Sequence, residues 1–195
     1  KRELNQMKRH RGNRLTGVEK KTGSTVNSNL VYSLNEADQL VEVAAEGRTI
    51  AYQYDVAQRL SQITYPSSEV AKYGYNSRSQ LETIKDGGNT AIADYEYDDA
   101  GRLIKEALAN GLEVVYDYND ANWVTKITLR ESATLTNVIQ NFEYGYDKVG
   151  NRTWVKTQDG SGEVYRYDAT YQVTGVKYGV SNPEAGYDLA TGASR

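Results

Sequence analysis

Tyr95-Glu96-Tyr97-Asp98-Asp99-Ala100-Gly101-Arg102-Leu103 runs from two tyrosines through a polar stretch to an aliphatic residue. Both rings of Tyr95 and Tyr97 fit one face of a short strand, because strand side chains alternate. Residues 98–101 fit a turn, since Asp accepts hydrogen bonds from nearby amides and Gly adopts a positive φ. Residues 102–106 then fit a returning strand. The stretch therefore predicts a β-hairpin.

The tyrosine pair recurs along the chain. Tyr-x-Tyr followed directly by Asp or Asn is found at Tyr52/Tyr54/Asp55, Tyr73/Tyr75/Asn76, Tyr95/Tyr97/Asp98, Tyr116/Tyr118/Asn119, Tyr144/Tyr146/Asp147 and Tyr165/Tyr167/Asp168. A degenerate copy runs from Tyr32 to Asn35. The second positions are 34, 54, 75, 97, 118, 146 and 167, so the steps are 20, 21, 22, 21, 28 and 21 residues. A short, nearly fixed period indicates a repeat architecture.

One repeat array is expected to cover residues 1–195. Its copies are centred near Lys8 (degenerate), Leu34, Tyr54, Tyr75, Tyr97, Tyr118, Tyr146 and Tyr167. The long step holds an insertion at 132–141, and Tyr187-Asp188 is a doubtful further copy. Since the chain begins within a repeat and without Met, it is expected to be a fragment of a longer array.

Each period contains two strands and two turns, and no sustained 3.6-residue apolar period is present. Short connections predict antiparallel neighbours. An aliphatic pair spaced i, i+3 recurs in the returning strand, as at Leu60 and Ile63. In a regular strand these two residues would point to opposite faces. Either a β-bulge re-aims one of them or both faces are partly covered, and the sequence leaves this open.

The predicted fold is all-β, with tandem antiparallel hairpins in a continuous meander. Open sheets of more than about ten strands curl, so a curved or spiral sheet is expected. The face opposite the tyrosines should be polar at Gln53, Gly74, Glu96, Asp117, Gly145 and Arg166. A β-propeller is the alternative, because two periods match one four-stranded blade. The lack of a systematic difference between odd and even copies argues against it.

Composition excludes several classes of protein. The net charge is -3 with both signs interspersed, which argues against nucleic-acid binding. No apolar run is long enough for a membrane-spanning helix, so no membrane insertion is expected. The chain has 17 Tyr but one Phe, and no Cys. The lack of Cys excludes disulfides and thiolate metal sites.

Candidate chemistry is sparse. His10 is the only histidine, so no zinc set can be assembled, and an exposed turn residue is expected there. Asp98 and Asp99 could suggest Ca²⁺ or paired carboxylates, but their place in a repeated turn favours turn hydrogen bonds. The sequon at Asn151 falls in such a turn. Trp123 and Trp154 favour packing over ligand stacking. No catalytic, cofactor-binding or metal-binding residue is predicted.

The residues expected to matter are those that maintain the repeat. They are Tyr52, Tyr54, Asp55, Tyr73, Tyr75, Tyr95, Tyr97, Asp98, Gly101, Leu103, Tyr116, Tyr118, Tyr144, Tyr146, Asp147, Gly150, Tyr165, Tyr167 and Asp168.

The motif Tyr-x-Tyr-Asp-x-x-Gly-Arg-Leu, complete at Tyr95–Leu103, resembles the YD-repeat (RHS-repeat) family, as does Gly150-Asn-Arg-Thr153. Relatives include bacterial RHS polymorphic toxins, the C component of insecticidal toxin complexes, wall-associated proteins and teneurins. The resemblance implies a secreted or cell-surface protein, bacterial in origin, whose β-hairpin spiral forms a shell. It implies that the shell encloses another part of the same polypeptide, such as a C-terminal effector. No cofactor is implied.

The family's terminal self-cleavage motif, rich in Asp-Pro, has no match, since neither Pro66 nor Pro183 follows an Asp. Cleavage chemistry is therefore not carried over from the resemblance. The expected partners are further repeats of the same chain and an enclosed effector. The alternative function is an adhesive surface that binds glycans or partner proteins through its tyrosine rows.

Overall fold

A computed structural model describes residues 3–9, 15–22, 25–134, 136–189 and 193–194. His10 and the Gly12-Asn13-Arg14 turn of the first copy lie outside the described residues. The chain divides into two compact units, residues 1–92 and 93–195. In the described residues of both units the regular structure is β-strand, apart from a short 3₁₀ turn at Pro183–Ala185.

The first unit is an antiparallel meander in which each strand pairs with the next. Its strands are β1 (Glu3–Arg9), β2 (Leu15–Thr22), β3 (Thr25–Leu34), β4 (Leu40–Ala45), β5 (Arg48–Tyr54), β6 (Leu60–Thr64), β7 (Val70–Tyr75) and β8 (Leu81–Asp86). The degenerate first copy forms a hairpin, since Lys8 of β1 pairs with Gly17 of β2.

The second unit has the same organisation. Its strands are β9 (Ala91–Tyr97, which begins just before the division), β10 (Leu103–Leu108), β11 (Leu112–Tyr118), β12 (Val124–Glu131), β13 (Val138–Tyr146), β14 (Arg152–Thr157), β15 (Gly162–Tyr167), β16 (Val173–Val180) and β17 (Ala193–Ser194). The expected insertion lengthens the β12–β13 hairpin, because β13 already begins at Val138.

These pairings confirm the predicted all-β fold of tandem antiparallel hairpins. A propeller would interrupt strand pairing after every fourth strand. Within each unit the pairing of described strands continues from one hairpin to the next without such a break. The propeller alternative is therefore not supported.

A β-bulge in each returning strand explains the i, i+3 aliphatic pairs. Gln53 pairs with Gln62 and Tyr54 with Leu60, so Ser61 is the extra residue of β6. Because of this extra residue, Leu60 and Ile63 both lie on the tyrosine face, opposite Tyr54 and Tyr52. The same register shift makes extra residues of Val41, Ser61, Glu82, Ile104, Thr125, Thr153 and Thr174.

Burial in the two units is shallow. The paired tyrosines are half-buried, and among the described residues the buried apolar side chains of the core are Ala93, Val164 and Val180. Shallow burial is the expected result when a sheet lacks a second layer packed over it. Contacts between neighbouring hairpins must therefore supply much of the stability of each unit.

The face opposite the tyrosines is charged along β9–β13, as predicted at Glu96. Ion pairs join Lys105 to Glu96 and Arg130 to Glu113 across adjacent strands. Arg166 of β15 is exposed, as expected, but the expectation of a polar face is wrong around Gly145. The indole of Trp154 lies directly over Gly145, because glycine has no Cβ to exclude it.

The doubtful repeat copy at Tyr187-Asp188 also differs from the expectation. Tyr187 lies in a turn rather than in a strand. Its ring packs on this same face, against Val164 and Val180. The segment is therefore not a further repeat hairpin, and it supplies the apolar cover that the polar-face expectation missed.

One position in seven of the described repeat turns adopts a left-handed backbone. The residues there have φ between 63° and 94° and are Asp38, Gln58, Ser79, Gly101, Asn122, Gly150 and Tyr171. Glycine tolerates this region freely, Asn and Asp tolerate it moderately, and β-branched residues tolerate it poorly. The predicted positive φ at Gly101 is confirmed, and the other copies show that glycine is not obligatory there.

Replacing Gly101 tests this backbone requirement. We expect Gly101→Val to lower the free energy of unfolding by about 1–3 kcal/mol, because a β-branched residue is strained at positive φ. Gly101→Asn is the matched control and should lose much less, since Asn122 holds the equivalent position at φ 65°. Thermal denaturation followed by circular dichroism measures both. Equal losses for Val and Asn would contradict the assignment of the turn.

Candidate functional site

In five of the pairs, the second tyrosine connects its hairpin to the preceding one. The Tyr54 hydroxyl donates to the Leu40 carbonyl at 2.8 Å. The same hydrogen bond joins Tyr75 to Leu60 (2.8 Å), Tyr118 to Leu103 (2.7 Å), Tyr146 to Val124 (2.7 Å) and Tyr167 to Arg152 (2.8 Å). The accepting residue is always the first of a bulged returning strand. A bulge interrupts the ladder, so a carbonyl there is available to a side chain.

Burial keeps two of these tyrosines protonated. Burial raises the pKa of Tyr118 and Tyr146 above the usual value for a phenol. Among the first-position tyrosines, burial and then a hydrogen bond to Glu163 raise the pKa of Tyr165 to about 12. The raised pKa values keep Tyr118 and Tyr146 neutral across the physiological range, so these two hydroxyls keep the proton that their inter-hairpin bonds need.

The Asp or Asn after each pair organises the turn. Asp55 Oδ1 accepts the amides of Ala57 and Arg59, each at 2.9 Å. The equivalent atom accepts amide hydrogen bonds at Asn35, Asn76, Asp98, Asn119, Asp147 and Asp168. These are Asx turns, as predicted. Among the described residues, no group of three or more His, Cys, Asp or Glu side chains is arranged to hold a metal ion.

Arg59 connects its own turn to the next one. It forms an ion pair with Asp55 at 2.7 Å, and its guanidinium lies 4.5 Å from the ring centroid of Tyr75. It also donates to Ser79 Oγ at 2.9 Å. Ser79 occupies the left-handed position of the following turn. The Arg59 side chain therefore contacts both the tyrosine and the turn of the next repeat.

Arg102 makes the same contacts two copies further on. It pairs with Asp98 at 2.6 Å, lies 4.7 Å from the Tyr118 ring, and donates to Asn122 Oδ1 at 2.8 Å. Asn122 again occupies the left-handed position. We call the position held by Arg59 and Arg102, directly after the left-handed residue, the bridging position.

Other residue types at the bridging position reach the same neighbour. Gln39 donates to the Gln58 carbonyl at 3.0 Å. Trp123 stacks obliquely on Tyr146, with ring centroids 5.3 Å apart, and a Cβ at Gly150 would lie 2.9 Å from its ring. Sequence reasoning missed the bridging position. The sequence signal for this position is a long polar or aromatic side chain that recurs at the same place in successive repeats.

The first-position tyrosines lie opposite residues of the returning strands. Tyr52, Tyr73, Tyr116, Tyr144 and Tyr165 face aliphatic residues, whereas Tyr95 faces Glu106. Trp123 and Trp154 pack against neighbouring residues, as expected. Asn151 of the sequon donates to Asp147 Oδ2 at 2.7 Å and thus serves its turn. Within each unit the structure places the predicted tyrosines in rows along successive hairpins, not in a convergent cluster.

Surface depressions offer little chemistry. One of about 590 Å³ in the first unit is lined by Tyr65, Ser68, Glu69, Val70, Ala71, Asp86, Gly87, Gly88 and Ile92. Another of about 710 Å³ in the second unit is lined by Ile139, Gln140, Thr157, Gln158, Asp159 and Ser161. The Thr157 and Ser161 hydroxyls both donate to Asp159 Oδ1, at 2.6 and 2.7 Å, and lower the pKa of Asp159 to about 2. These three side chains therefore form hydrogen bonds within their own turn.

Acid should weaken the Asp turns. A hydrogen bond from Thr170, followed by amide bonds, lowers the pKa of Asp168 below its usual 3.8. A carboxyl whose folded pKa is lowered stabilises the fold fully above its unfolded pKa, and that stabilisation is lost as the pH falls from about 4 through the lowered value. Asp168→Asn keeps the acceptor oxygen, as Asn119 does in its turn, so we expect a shallower loss of Tm between pH 4 and 2.

Asp168→Ala is the control for the turn itself. It should lower Tm at pH 7, where Asp168→Asn should not, because only the alanine variant leaves the Thr170 and Gln172 amides without their acceptor. Denaturation scans from pH 7 to 2 measure both effects. Identical acid profiles for the wild type and Asp168→Asn would show that the carboxylate carries no such linkage.

Comparisons with known proteins agree with this geometry. Residues 35–70 and 97–134, together less than half of the chain, match the RHS Repeat family model. No curated protein matches the sequence. Within the described residues, no helix is long and apolar enough to cross a membrane.

Solved structures show a similar fold. They include crystal structures of TcdB2-TccC3, complete and without the hypervariable C-terminal region, each with a TM-score of 0.65 and 16% identity. The Photorhabdus luminescens Tc holotoxin pore matches with a TM-score of 0.66 and 16% identity. Each match covers 90% of this chain but 12% of the other chain, and at this identity it shows the fold alone. The two matched segments agree with the resemblance predicted from the tyrosine motif: residues 35–70 and 97–134 carry RHS repeats.

Proposed function

We propose that this chain is a segment of a β-sheet shell wall that encloses another part of its own polypeptide, such as a C-terminal effector. The observation that carries the proposal is the repeated bond from the second tyrosine to the preceding hairpin, as from Tyr118 to Leu103. This bond makes each hairpin a continuation of the one before it. A wall one sheet thick extends by the addition of hairpins side by side. Each added hairpin must therefore be bonded to the one before it.

The turn edge supports the same role. Arg59 and Arg102 each connect two consecutive turns, through an ion pair on one side and a ring contact on the other. Repeats whose apolar faces are only half-buried depend on their neighbours for stability. The tyrosine rows and the bridging residues therefore together hold consecutive repeats of the wall in contact. No step of this role requires catalysis, so we propose a non-enzymatic protein.

The adhesive alternative fits these contacts less well. Stacking on a sugar needs an open aromatic face, but guanidinium groups cover the rings of Tyr75 and Tyr118 at 4.5 and 4.7 Å. The hydroxyls of the same two tyrosines are already bonded to carbonyl oxygens. A side chain engaged at both ring and hydroxyl has little left to offer a glycan. These contacts favour the wall over an adhesive surface.

The proposed location is outside the cytoplasm, secreted or at the cell surface of a bacterium. Its support is the similarity of the fold to chains in Tc toxin structures, one of which was solved without a hypervariable C-terminal region. The proposed partners are further repeats of the same polypeptide and the enclosed segment. The chain spans 12% of those similar chains, so the shell itself is a proposal about the full-length protein.

Electron cryomicroscopy of the full-length protein tests the wall directly. We expect a hollow particle with density inside a thin wall one sheet thick. A variant that lacks the region C-terminal to the repeats is the control, and it should keep the outline of the particle while losing the internal density. A solid, extended rod would contradict the wall. A hollow particle whose contents are unchanged by the truncation would contradict the enclosure of a C-terminal segment.

A further inference from the structure

The connection that follows β16 differs from the tight turns of the repeats. Residues 181–189, which we call the cap segment, run over the face opposite the tyrosines rather than turning directly into the next strand. The cap segment contains the 3₁₀ turn Pro183–Ala185, and Pro183 is fully buried. None of its residues takes part in the strand pairing of β14, β15 and β16. It therefore lies on the sheet as a separate layer.

A glycine of β16 provides the space for an aromatic ring. A Cβ at Gly175 would lie 2.4 Å from the Tyr187 hydroxyl and 2.8 Å from its Cζ, so a larger residue would displace the ring. Arg166 and Lys177 each lie 4.8 Å from the centroid of this ring. Lys177 also donates to the Tyr187 carbonyl at 2.6 Å. Two cations over one ring make a specific aromatic socket.

An apolar floor adjoins the socket. Val164 and Val180 are fully buried, and Trp154 and Tyr187 pack against them. Trp154 can lie there because a Cβ at Gly145 would come within 1.9 Å of its Nε1. Together with Pro183, these two valines are the largest fully buried side chains among the described residues. The largest fully buried side chains of the described residues thus lie in the cap segment and beneath it.

A row of alternating charges completes the site. Lys156 contacts Glu184 of the cap segment at 3.1 Å and Glu143 at 3.0 Å. Glu143 in turn pairs with Lys126 at 3.0 Å. The sheet thus presents a cation to the carboxylate that precedes Tyr187 by three residues. Ring, proline and carboxylate each have their own complementary surface.

We propose that this face of β14–β16 is a binding site for a short acidic-aromatic peptide, filled in cis by the cap segment. The ligand class is a peptide with a carboxylate three residues before a tyrosine and an adjacent proline, because the socket, the floor and Lys156 recognise these groups. The pairings of β14 with β15 and of β15 with β16 involve no residue of the cap segment. Release of the cap segment therefore breaks none of these pairings, and the same peptide can enter in trans.

A synthetic peptide with the sequence of residues 181–189 is the probe. The chain carries Tyr187→Ala to empty the socket and Trp123→Phe to leave Trp154 as the only indole. We expect the Trp154 emission to shift to longer wavelength in this variant and to return saturably as peptide is added. Peptides with Tyr187→Ala or Glu184→Gln should bind roughly tenfold more weakly or worse, which corresponds to about 1.4 kcal/mol. An unshifted emission, or a shift that the peptide does not reverse, would overturn the proposal.

Two control variants separate the socket from general loosening. Gly175→Ala should shift the emission in the same way but should not be restored by the peptide, because its Cβ occupies the place of the ring. Tyr171→Ala removes a tyrosine that is 62% exposed and should leave the emission unchanged. Peptide binding to Gly175→Ala as tight as to Tyr187→Ala would overturn the socket.

A milder variant covers the case in which Tyr187→Ala unfolds, as far-UV circular dichroism would show. Glu184→Gln removes one ion pair and keeps the ring in place, so a fluorescein-labelled peptide should compete with the cap segment at lower concentration than in the wild type. Fluorescence anisotropy measures this binding. Equal titration curves for Glu184→Gln and the wild type would show that Lys156 does not recognise the carboxylate and would overturn that part of the site.

Discussion

The hydrogen bond from a tyrosine hydroxyl to the first carbonyl of the preceding returning strand is the interaction on which the repeat depends. The bulge serves it in two ways. It places both aliphatic residues of the returning strand opposite the two rings, as Leu60 and Ile63 lie opposite Tyr54 and Tyr52. It also marks the strand start whose carbonyl the next tyrosine reaches, as Tyr75 reaches Leu60. The preference for Tyr over Phe follows, because Phe could pack but could not donate.

The energetics of such a sheet differ from those of a globular core. The described residues hold few fully buried side chains, and these are concentrated under the cap segment. Each tyrosine hydrogen bond contributes about 1 kcal/mol, and an exposed cation–π contact contributes about 0.5–1 kcal/mol. Neither term is large, so the fold relies on their recurrence in every period. Stability of this kind is a sum over neighbouring repeats, which suits an array of variable length.

The local features of the fold could be predicted from the sequence. The Tyr-x-Tyr pair, the Asx turn at Asp98 and the positive φ at Gly101 each follow from a few adjacent residues. The choice between a bulge and two covered faces could not be predicted, because it depends on the pairing of two strands. Arg59 was missed for the same reason, since its partners Tyr75 and Ser79 belong to the next repeat.

Glycines show the limit of sequence reasoning most clearly. Gly145 was expected to be part of a polar face, but it makes room for the indole of Trp154. Gly175 makes room in the same way for Tyr187, which lies twelve residues further along the chain. A glycine that accommodates a distant ring has no signature of its own in the sequence. The packing of the cap segment on the sheet could therefore not be predicted from the sequence.

Hydrogen–deuterium exchange on Tyr118→Phe tests most directly whether the tyrosine hydroxyl couples consecutive hairpins. The loss of its 2.7 Å bond to Leu103 should cost about 1 kcal/mol and speed exchange roughly fivefold in both β10 and the β11–β12 hairpin. Tyr171→Phe, which alters an exposed tyrosine, should leave these rates unchanged. Faster exchange confined to the neighbours of residue 118, or no change in either hairpin, would contradict the account.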